Sequence, residues 1–257
     1  MKQGSLREGI PSAASRRRQP AAILLDLDDT LLRYTAVVDG CWDELCHAYA
    51  PRLGCASAAA LKQAVQQEAQ WYWSDAERHR IGRLDMHAAR RTIVRRACAH
   101  LGLDAARAAD ELAEAFTDLR EARVELFDGA EAALCTFRDR GIRLGLLTNG
   151  HAQFQRRKLE RFNLTGFFDV VLIESELGFG KPDRRVFERA LTTLRLQPAD
   201  AWMVGDNIEW EIVPAQALGI HDVWVDHAGT GVPADAPVQP TRIVASVAEL
   251  SQLLAAP

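Results

Sequence analysis

The sequence predicts an α/β fold, with a parallel sheet as the middle layer of a three-layer core and a helical subdomain inserted near the start of that core. Three observations support this prediction. Short apolar segments alternate with helical segments over most of the chain, this alternation stops once, between about residues 35 and 123, and polar side chains follow directly after several of the apolar segments. Alternation of strands and helices is typical of β-α-β units and a parallel sheet.

Six short apolar segments have the character of buried parallel strands, because most of them are flanked by Gly, Asp or Asn. They cover residues 21–26, 142–147, 169–173, 201–204, 222–225 and 242–245. The segments between them have helical character and cover residues 129–140, 151–162, 183–195, 210–218 and 247–254.

The inserted segment contains no convincing strand. Its pattern predicts about four helices, at residues 37–50, 57–80, 85–101 and 104–121. Because this segment is too long for a simple connection between two strands, we expect it to form a subdomain of its own. The predicted division is therefore a core made of residues 21–34 and 124–257, and a helical subdomain made of residues 35–123.

The first 20 residues differ from the rest in charge. They carry a net charge of +4, whereas residues 21–257 carry −8, for a total of −4. The segment lacks the apolar stretch of a secretory signal. We expect a disordered basic leader, although its Arg- and Ser-rich composition also has a weak likeness to a transit peptide or a nucleic-acid-binding arm.

The composition is that of a globular protein, with 48% hydrophobic and 26% charged residues. No apolar run approaches the ~20 residues that a membrane helix needs, so a membrane is not an expected partner. The five cysteines are odd in number and form no C-x-x-C pair. Both facts predict reduced thiols and a cytoplasmic location.

The segment "ILLDLDDTLL" places three carboxylates, those of Asp26, Asp28 and Asp29, at the end of the first predicted strand. Burying like charges side by side is unfavourable unless something compensates them. In open α/β sheets, ligands bind at the carboxyl ends of the strands. The carboxylates therefore indicate a functional site at this edge of the sheet.

Other polar residues follow later strands. Thr148 and Asn149 come after the second strand, Lys181 lies in "GFGKPD", and Asp206 comes after the fourth strand in "VGDNIEWE". Because Asp26 and Asp206 would converge from adjacent strands, their carboxylates, a backbone carbonyl and waters suit a Mg²⁺ ion. We expect the cofactor to be Mg²⁺.

These residue types suit attack on a phosphate ester. Asp26 would attack phosphorus, with its charge screened by Mg²⁺ and Lys181. Asp28 would supply a proton to the leaving group, and Thr148 with neighbouring backbone N–H groups would hold phosphate oxygens. Asp29 would shape the turn or point to solvent. For Asn149, two interpretations stay open: it positions the nucleophile or substrate, or it caps a helix.

Four motifs together resemble the haloacid dehalogenase-like superfamily of phosphohydrolases. D-x-D-x-T is matched by Asp26–Thr30, the Thr of the second motif by Thr148, the Lys of the third by Lys181, and the fourth, G-D-x-x-x-x-[D/E], by Gly205–Glu211. The branch with 5′-nucleotidases and N-acylneuraminate-9-phosphatase-like enzymes is the most similar. The fourth motif commonly ends in Asp, so the Glu of this chain is a departure from the family pattern.

The resemblance implies a Rossmann-like core, a helical cap at residues 35–123 and hydrolysis of a small phosphorylated metabolite, such as a nucleoside monophosphate or sugar phosphate, through an aspartyl-phosphate. It implies phosphate contacts from Thr30, Thr148, Asn149 and Lys181. It also implies metal contacts from Asp26, the Asp28 backbone carbonyl and Asp206, with Glu211 in the outer shell.

Three alternatives to a phosphatase stay open. A phosphomutase would share every motif, and a dehalogenase would use the same nucleophile but would need neither Asp28 nor Asp206. A non-catalytic binding protein on this scaffold would typically have lost the nucleophile or the metal-binding Asp. Nucleic acid is not an expected partner, and a monomer or a homodimer fits the sequence equally well.

Within the cap, "QWYWSDAERHRIG" contains Trp71, Tyr72 and Trp73, and residues 78–96 contain seven arginines against the single acid Asp85. The aromatic residues could pack in the cap core or could form a surface over the site. The arginines could form a solvated helix face or attract anionic substrates.

Overall fold

The structure is a computed structural model that describes residues 19–255. Six parallel strands form one sheet in the order β3-β2-β1-β4-β5-β6. Each strand was predicted from the sequence, with its ends displaced by no more than one residue. The strands are β1 (Ala22–Leu25), β2 (Arg143–Thr148), β3 (Val170–Ile173), β4 (Ala201–Gly205), β5 (His221–Val225) and β6 (Arg242–Val244).

Helices cover both faces of this sheet, which confirms the predicted three-layer α/β core. One face packs against α6, α7 and α11 in a cluster that includes Phe137 and Leu134. The other face packs against α9 and α10 around Phe187. These helices and the short α8 are α6 (Ala130–Asp139), α7 (Ala152–Arg161), α8 (Glu174–Leu177), α9 (Arg184–Leu194), α10 (Val213–Leu218) and α11 (Val247–Ala255).

Five helices occupy the segment between β1 and α6, and they pack around a hydrophobic cluster of their own. Within it, Trp42 stacks on Phe116 with ring centroids 3.7 Å apart. The helices are α1 (Val38–Tyr49), α2 (Ala58–Trp73), α3 (Ala76–Leu84), α4 (Met86–His100) and α5 (Ala106–Arg123).

The prediction of one helix over 57–80 is wrong, because the segment forms α2 and α3 with a break between them. The break follows from Asp75, whose carboxylate accepts a hydrogen bond of 2.8 Å from the backbone N–H of Arg78. A side chain that caps the N-terminus in this way starts a new helix.

The register of the sheet determines where the first polar residues lie. Leu25 is paired with Leu146 of β2 and with Val204 of β4, so Asp26 leaves the sheet between these two strands. The chain reaches β2 and β3 on one side of β1 and β4 to β6 on the other. This arrangement creates the crevice at the carboxyl ends of the strands where ligands bind in open sheets.

None of the described helices has the length and the apolar character needed to span a bilayer. The predicted leader, residues 1–20, falls almost entirely outside the described residues.

Candidate active site

Asp26 lies at the carboxyl end of β1 and is only 6% exposed. Its backbone N–H donates to the carbonyl of Val204, 3.0 Å away, which continues the pairing of β1 with β4. Its carboxylate accepts a hydrogen bond from the ammonium of Lys181, which is itself buried. The same ammonium donates to Glu211 Oε1 at 2.6 Å. One lysine therefore lies between two buried carboxylates.

Three carboxylates converge at this point. Asp26, Asp206 and Glu211 each offer an oxygen within 4.8 Å of the others. Asp206 is held from two directions: its carboxylate accepts a hydrogen bond from the Thr30 hydroxyl at 3.4 Å, and its carbonyl accepts one from Trp224 Nε1 at 2.7 Å. Thr30, which the family resemblance assigns to phosphate, thus directs its hydroxyl to the acidic cluster in the structure.

The charges of this cluster are not balanced by protein groups alone. Burial raises the pKa of Asp26 to about 7, an effect that Lys181 opposes and Glu211 reinforces. Burial raises the pKa of Asp206 to about 9, with Glu211 and Asp26 adding to the shift. A divalent cation among the three carboxylates would offset this repulsion. The donor set therefore fits Mg²⁺, which prefers oxygen ligands.

The backbone after β4 explains how Glu211 reaches the cluster. Residues Ile208–Ile212 form one turn of wide π-helix before α10 begins, and such turns are frequent at functional sites. Asn207 caps this turn by accepting from the N–H of Trp210 at 3.0 Å. The Asn207 N–H in turn donates to Glu211 Oε2 at 2.9 Å. Glu211 is thereby folded back toward Lys181.

Asp28 has a cationic partner that the sequence reasoning missed. The ammonium of Lys158, on α7, lies 2.8 and 2.9 Å from the two carboxylate oxygens of Asp28. Gln155, one turn earlier on the same helix, donates to Asp28 Oδ2 at 3.0 Å. The three-residue spacing of Gln155 and Lys158 places them on one helix face, and this spacing was the available signal. This signal is weak, because the sequence of α7 is as polar as that of a helix on the protein surface.

Thr148 and Asn149, which were predicted to contact phosphate, use their side chains for different contacts in the structure. Thr148 ends β2, and its hydroxyl contacts the Gln155 amide. Asn149 uses its side chain to hold the backbone of Lys181, because Nδ2 donates to the Lys181 carbonyl at 2.7 Å and Oδ1 accepts from the Lys181 N–H at 2.8 Å. The cap of α7 is His151, so Asn149 does not cap that helix.

Asp29 shapes the turn after β1, which was one of its two predicted roles. It has a positive φ of 61°, and its carboxylate accepts hydrogen bonds from the N–H groups of Tyr34 and Thr35 at 3.0 and 2.7 Å. These hydrogen bonds hold the turn in the connection from β1 to α1.

A cavity of about 480 Å³ lies between the cap helices and the carboxyl edge of the sheet. On the core side it is lined by Asp28, Thr148 and Asn149, whereas Asp26 is not among the lining residues. On the cap side it is lined mostly by aromatic and aliphatic side chains. These include Val38, Trp42, Trp73, Met86, Ile93 and Phe116.

The aromatic residues at positions 71–73 were predicted either to pack in the cap core or to form a surface over the site, and the structure places them differently from one another. Trp73 lines the cavity. Trp71 is 38% exposed and lies between the guanidinium groups of Arg78 and Arg96, at 4.0 and 3.7 Å from its ring centroid. Tyr72 is buried in the cap cluster.

The seven arginines of residues 78–96 also have two kinds of surroundings. Five of its seven arginines form ion pairs with acids of the cap, as a solvated helix face would. Arg83 and Arg90 line the cavity instead. Arg83 forms an ion pair with the buried carboxylate of Glu174 on α8, with nitrogen–oxygen distances of 2.6 to 2.9 Å. This ion pair joins the cap to the core.

The family model described as haloacid dehalogenase-like hydrolase matches residues 20–219. The chain belongs to this family. Its relatives include a phosphoserine phosphatase of Thermus thermophilus, which is 38% identical over 79% of this chain and 88% of that protein. An N-acylneuraminate-9-phosphatase of Rattus norvegicus is 34% identical over 60% of this chain and 61% of that protein.

Among solved structures, a HAD hydrolase of Bacillus subtilis bound to magnesium has the same fold. It is 20% identical, covers 92% of this chain and 99% of its own, and superposes with a TM-score of 0.70. The resemblance that the four motifs predicted is therefore confirmed at the level of the family and the fold.

Proposed function

We propose that the protein is a Mg²⁺-dependent phosphatase that hydrolyses small phosphate monoesters through a phosphorylated Asp26. The observation that carries this proposal is the convergence of Asp26, Asp206 and Glu211 near one buried lysine, next to a cavity that Asp28 lines. Phosphatase names among the relatives support the reaction class.

The residues of this chain suit two successive displacements. In the first, an Asp26 oxygen forms a bond to phosphorus while the bond to the leaving oxygen breaks, and Asp28 donates a proton to that oxygen. In the second, Asp28 takes a proton from a water molecule that attacks phosphorus, which frees phosphate and Asp26. A bound Mg²⁺ would supply charge screening for the carboxylates and the phosphate.

Supporting residues orient these groups. Lys181 holds the Asp26 carboxylate, and Asn149 holds the backbone of Lys181. Lys158 and Gln155 hold Asp28 on the side of the cavity. We assign phosphate contacts to Thr30, Thr148, Asn149 and Lys181 and outer-shell metal contact to Glu211 as part of the proposal.

The size of the cavity supports a small metabolite as substrate, because sites for such ligands are typically ~300–1,000 Å³. A cavity of this volume can accommodate a nucleoside monophosphate or a sugar phosphate. It can also accommodate a small acidic phosphoester, and one relative is named for phosphoserine. The proposal includes a cytoplasmic location.

Metal dependence and the covalent intermediate test the proposal. Activity on p-nitrophenyl phosphate should disappear with a chelator and return with Mg²⁺, whereas Ca²⁺ should support turnover poorly because its coordination is larger and looser. Asp26→Asn should reduce activity to background. Full activity in excess chelator would rule out the metal site.

Asp28→Asn should let phosphate accumulate on Asp26 with p-nitrophenyl phosphate. Nitrophenolate leaves without much help from a proton donor, but the second displacement still needs a base, and loss of such help typically slows a step ~10²–10⁴-fold. Rapid acid quench and peptide mass spectrometry would locate the phosphate. Phosphate found on a Ser, Thr or His would contradict the mechanism, and analysis of the product separates hydrolysis from phosphate transfer within the substrate.

A further inference from the structure

Arg90, on cap helix α4, is a buried cation without a partner. It is 3% exposed, and within residues 19–255 none of its three guanidinium nitrogens makes a hydrogen bond. A buried charge is strongly unfavourable unless it is paired and hydrogen-bonded. Because almost all buried polar groups in native proteins have partners, this one calls for an explanation.

The side chain of Arg90 lines the same cavity as Asp28 and Thr148. Its guanidinium carbon lies 5.2 Å from the ring centroid of Phe116, which is stacked on Trp42. The surrounding wall is thus largely apolar. A ligand that entered the cavity would meet the guanidinium in surroundings where little water competes for its hydrogen bonds.

The other cations of the cavity are already engaged. Arg83 is paired with Glu174 and Lys158 with Asp28. Arg120 donates to the backbone carbonyl of Tyr34 at 3.2 and 3.3 Å. Among the described residues 19–255, Arg90 is the Arg or Lys of the cavity wall whose side-chain nitrogens all lack a hydrogen bond.

Three further groups of the wall act on the pKa of Arg90. Burial lowers this pKa and the guanidinium of Arg120 lowers it further, whereas the hydroxyl of Tyr34 and the carboxylate of Glu121 oppose the shift. Tyr34 is near enough to act on the pKa, but within residues 19–255 no group meets the distance and angle of a hydrogen bond to the Arg90 guanidinium. Arginine stays protonated in proteins under all ordinary conditions. Within residues 19–255, the cavity therefore offers a charged guanidinium whose hydrogen-bond donors are open.

We propose that the substrate carries a carboxylate as well as its phosphate, and that Arg90 binds this carboxylate with its planar guanidinium group. A guanidinium matches a carboxylate through two parallel hydrogen bonds. The carboxylate of Glu121 also lines the cavity, which favours a ligand group with one negative charge over a second phosphate with nearly two. This inference rests on the proposed function, because the phosphate must lie at the end of the cavity formed by Asp28 and Thr148.

The test compares substrates that differ only in the carboxylate. Suitable pairs are O-phosphoserine and O-phosphoethanolamine, 3-phosphoglycerate and glycerol 3-phosphate, and 6-phosphogluconate and sorbitol 6-phosphate. For at least one pair, kcat/KM of the wild-type protein should favour the carboxylated member about 10- to 100-fold, as expected for a charge-assisted pair in a buried site. Hydrolysis of p-nitrophenyl phosphate with Mg²⁺ is measured alongside, so that failure of the proposed function is recognised separately.

Arg90→Gln should lower the ratio of kcat/KM within the preferred pair by about the same factor. Arg95→Gln is the matched control, since Arg95 is exposed on the same helix and pairs with Asp110, and it should leave the ratio unchanged. Arg90→Lys keeps the charge but not the planar group, so its ratio should lie between those of the wild type and Arg90→Gln.

A wild-type protein that hydrolyses p-nitrophenyl phosphate but favours no carboxylated member would overturn the inference, even if Arg90→Gln failed to fold. So would an Arg90→Gln variant that folds and keeps the wild-type ratio. A preference for fructose 1,6-bisphosphate over fructose 6-phosphate that exceeds every carboxylate preference would replace the carboxylate with a second phosphate.

Discussion

The ion pair between Lys158 and Asp28 gives the sharpest test of how the site is held together. Lys158→Met removes the ammonium, which also lies 3.6 Å from the centroid of the Tyr34 ring, but keeps an unbranched side chain of similar length that can still pack against that ring. The side chain of Lys158 is 4% exposed and that of Asp28 is 23% exposed. Breaking a fully buried pair by removing one partner typically costs ~3–5 kcal/mol.

Asp28 keeps part of its surface open to the cavity and retains the hydrogen bond from Gln155 at 3.0 Å. Its unpaired charge can therefore be partly hydrated. We expect the free energy of unfolding to fall by about 2–3 kcal/mol, which is below the range for a fully buried pair. Urea unfolding followed by circular dichroism at pH 7 measures this difference. Lys62→Met, which removes a lysine paired with the exposed carboxylates of Asp39 and Asp43, is the control and should leave the unfolding midpoint almost unchanged.

A double-mutant cycle with Asp28→Asn separates the pair from its surroundings. Each single variant leaves one partner without an opposite charge, whereas the double variant leaves neither, so a coupling energy of about 2 kcal/mol is expected. A coupling below about 0.5 kcal/mol, the level of independent sites, would refute the assigned ion pair.

The pH dependence of this variant follows from the pKa of Lys158. Burial lowers that pKa, but attraction to the Asp28 carboxylate and to Tyr34 outweighs burial, and the net shift is upward from 10.5. Stability from a group whose pKa is raised on folding is fully present below the unfolded value and is lost as the pH rises through the folded value. The difference between wild type and Lys158→Met should thus stay constant from about pH 6 to pH 9 and decrease only above about pH 10.

Three more changes test the cap and the metal site. Trp73→Ala should alter the relative kcat/KM of different phosphate esters, whereas Trp71→Ala should leave it unchanged, because Trp73 lines the cavity and Trp71 does not; equal effects of both changes would argue against this. Gly205→Ala should raise the Mg²⁺ concentration needed for half-maximal activity, because a methyl group at that position would clash with the carboxylate of Glu211; an unchanged Mg²⁺ titration would count against the metal site. Arg83→Met should make the cap more accessible to limited proteolysis by removing its ion pair with the core, and an unaltered cleavage rate would show that this ion pair does not hold the cap.

The sequence by itself determined the sheet, most helices and the edge at which polar residues gather. Buried parallel strands are short apolar runs whatever their neighbours are, so each could be recognised locally, from Ala22–Leu25 to Arg242–Val244. The acids after β1 and β4 could be assigned to one site for a similar reason, since the carboxyl ends of parallel strands lie at the same edge. The break at Asp75 was missed although its capping signal is local, because the helical pattern continues on both sides of it.

Only the tertiary structure decided which charged groups are paired and which are left open. Lys158 and Asp28 are 130 residues apart, and Lys181 and Asp26 are 155 residues apart. The spacing of Gln155 and Lys158 along α7 shows that they share a helix face, but it does not show whether that face points to the site or to solvent. Arg90 lines the cavity, whereas other arginines of the same stretch pair with acids of the cap, and the sequence alone does not separate the two kinds. The reason is physical: the energy of a charged side chain depends on burial and on partners that folding brings from distant parts of the chain.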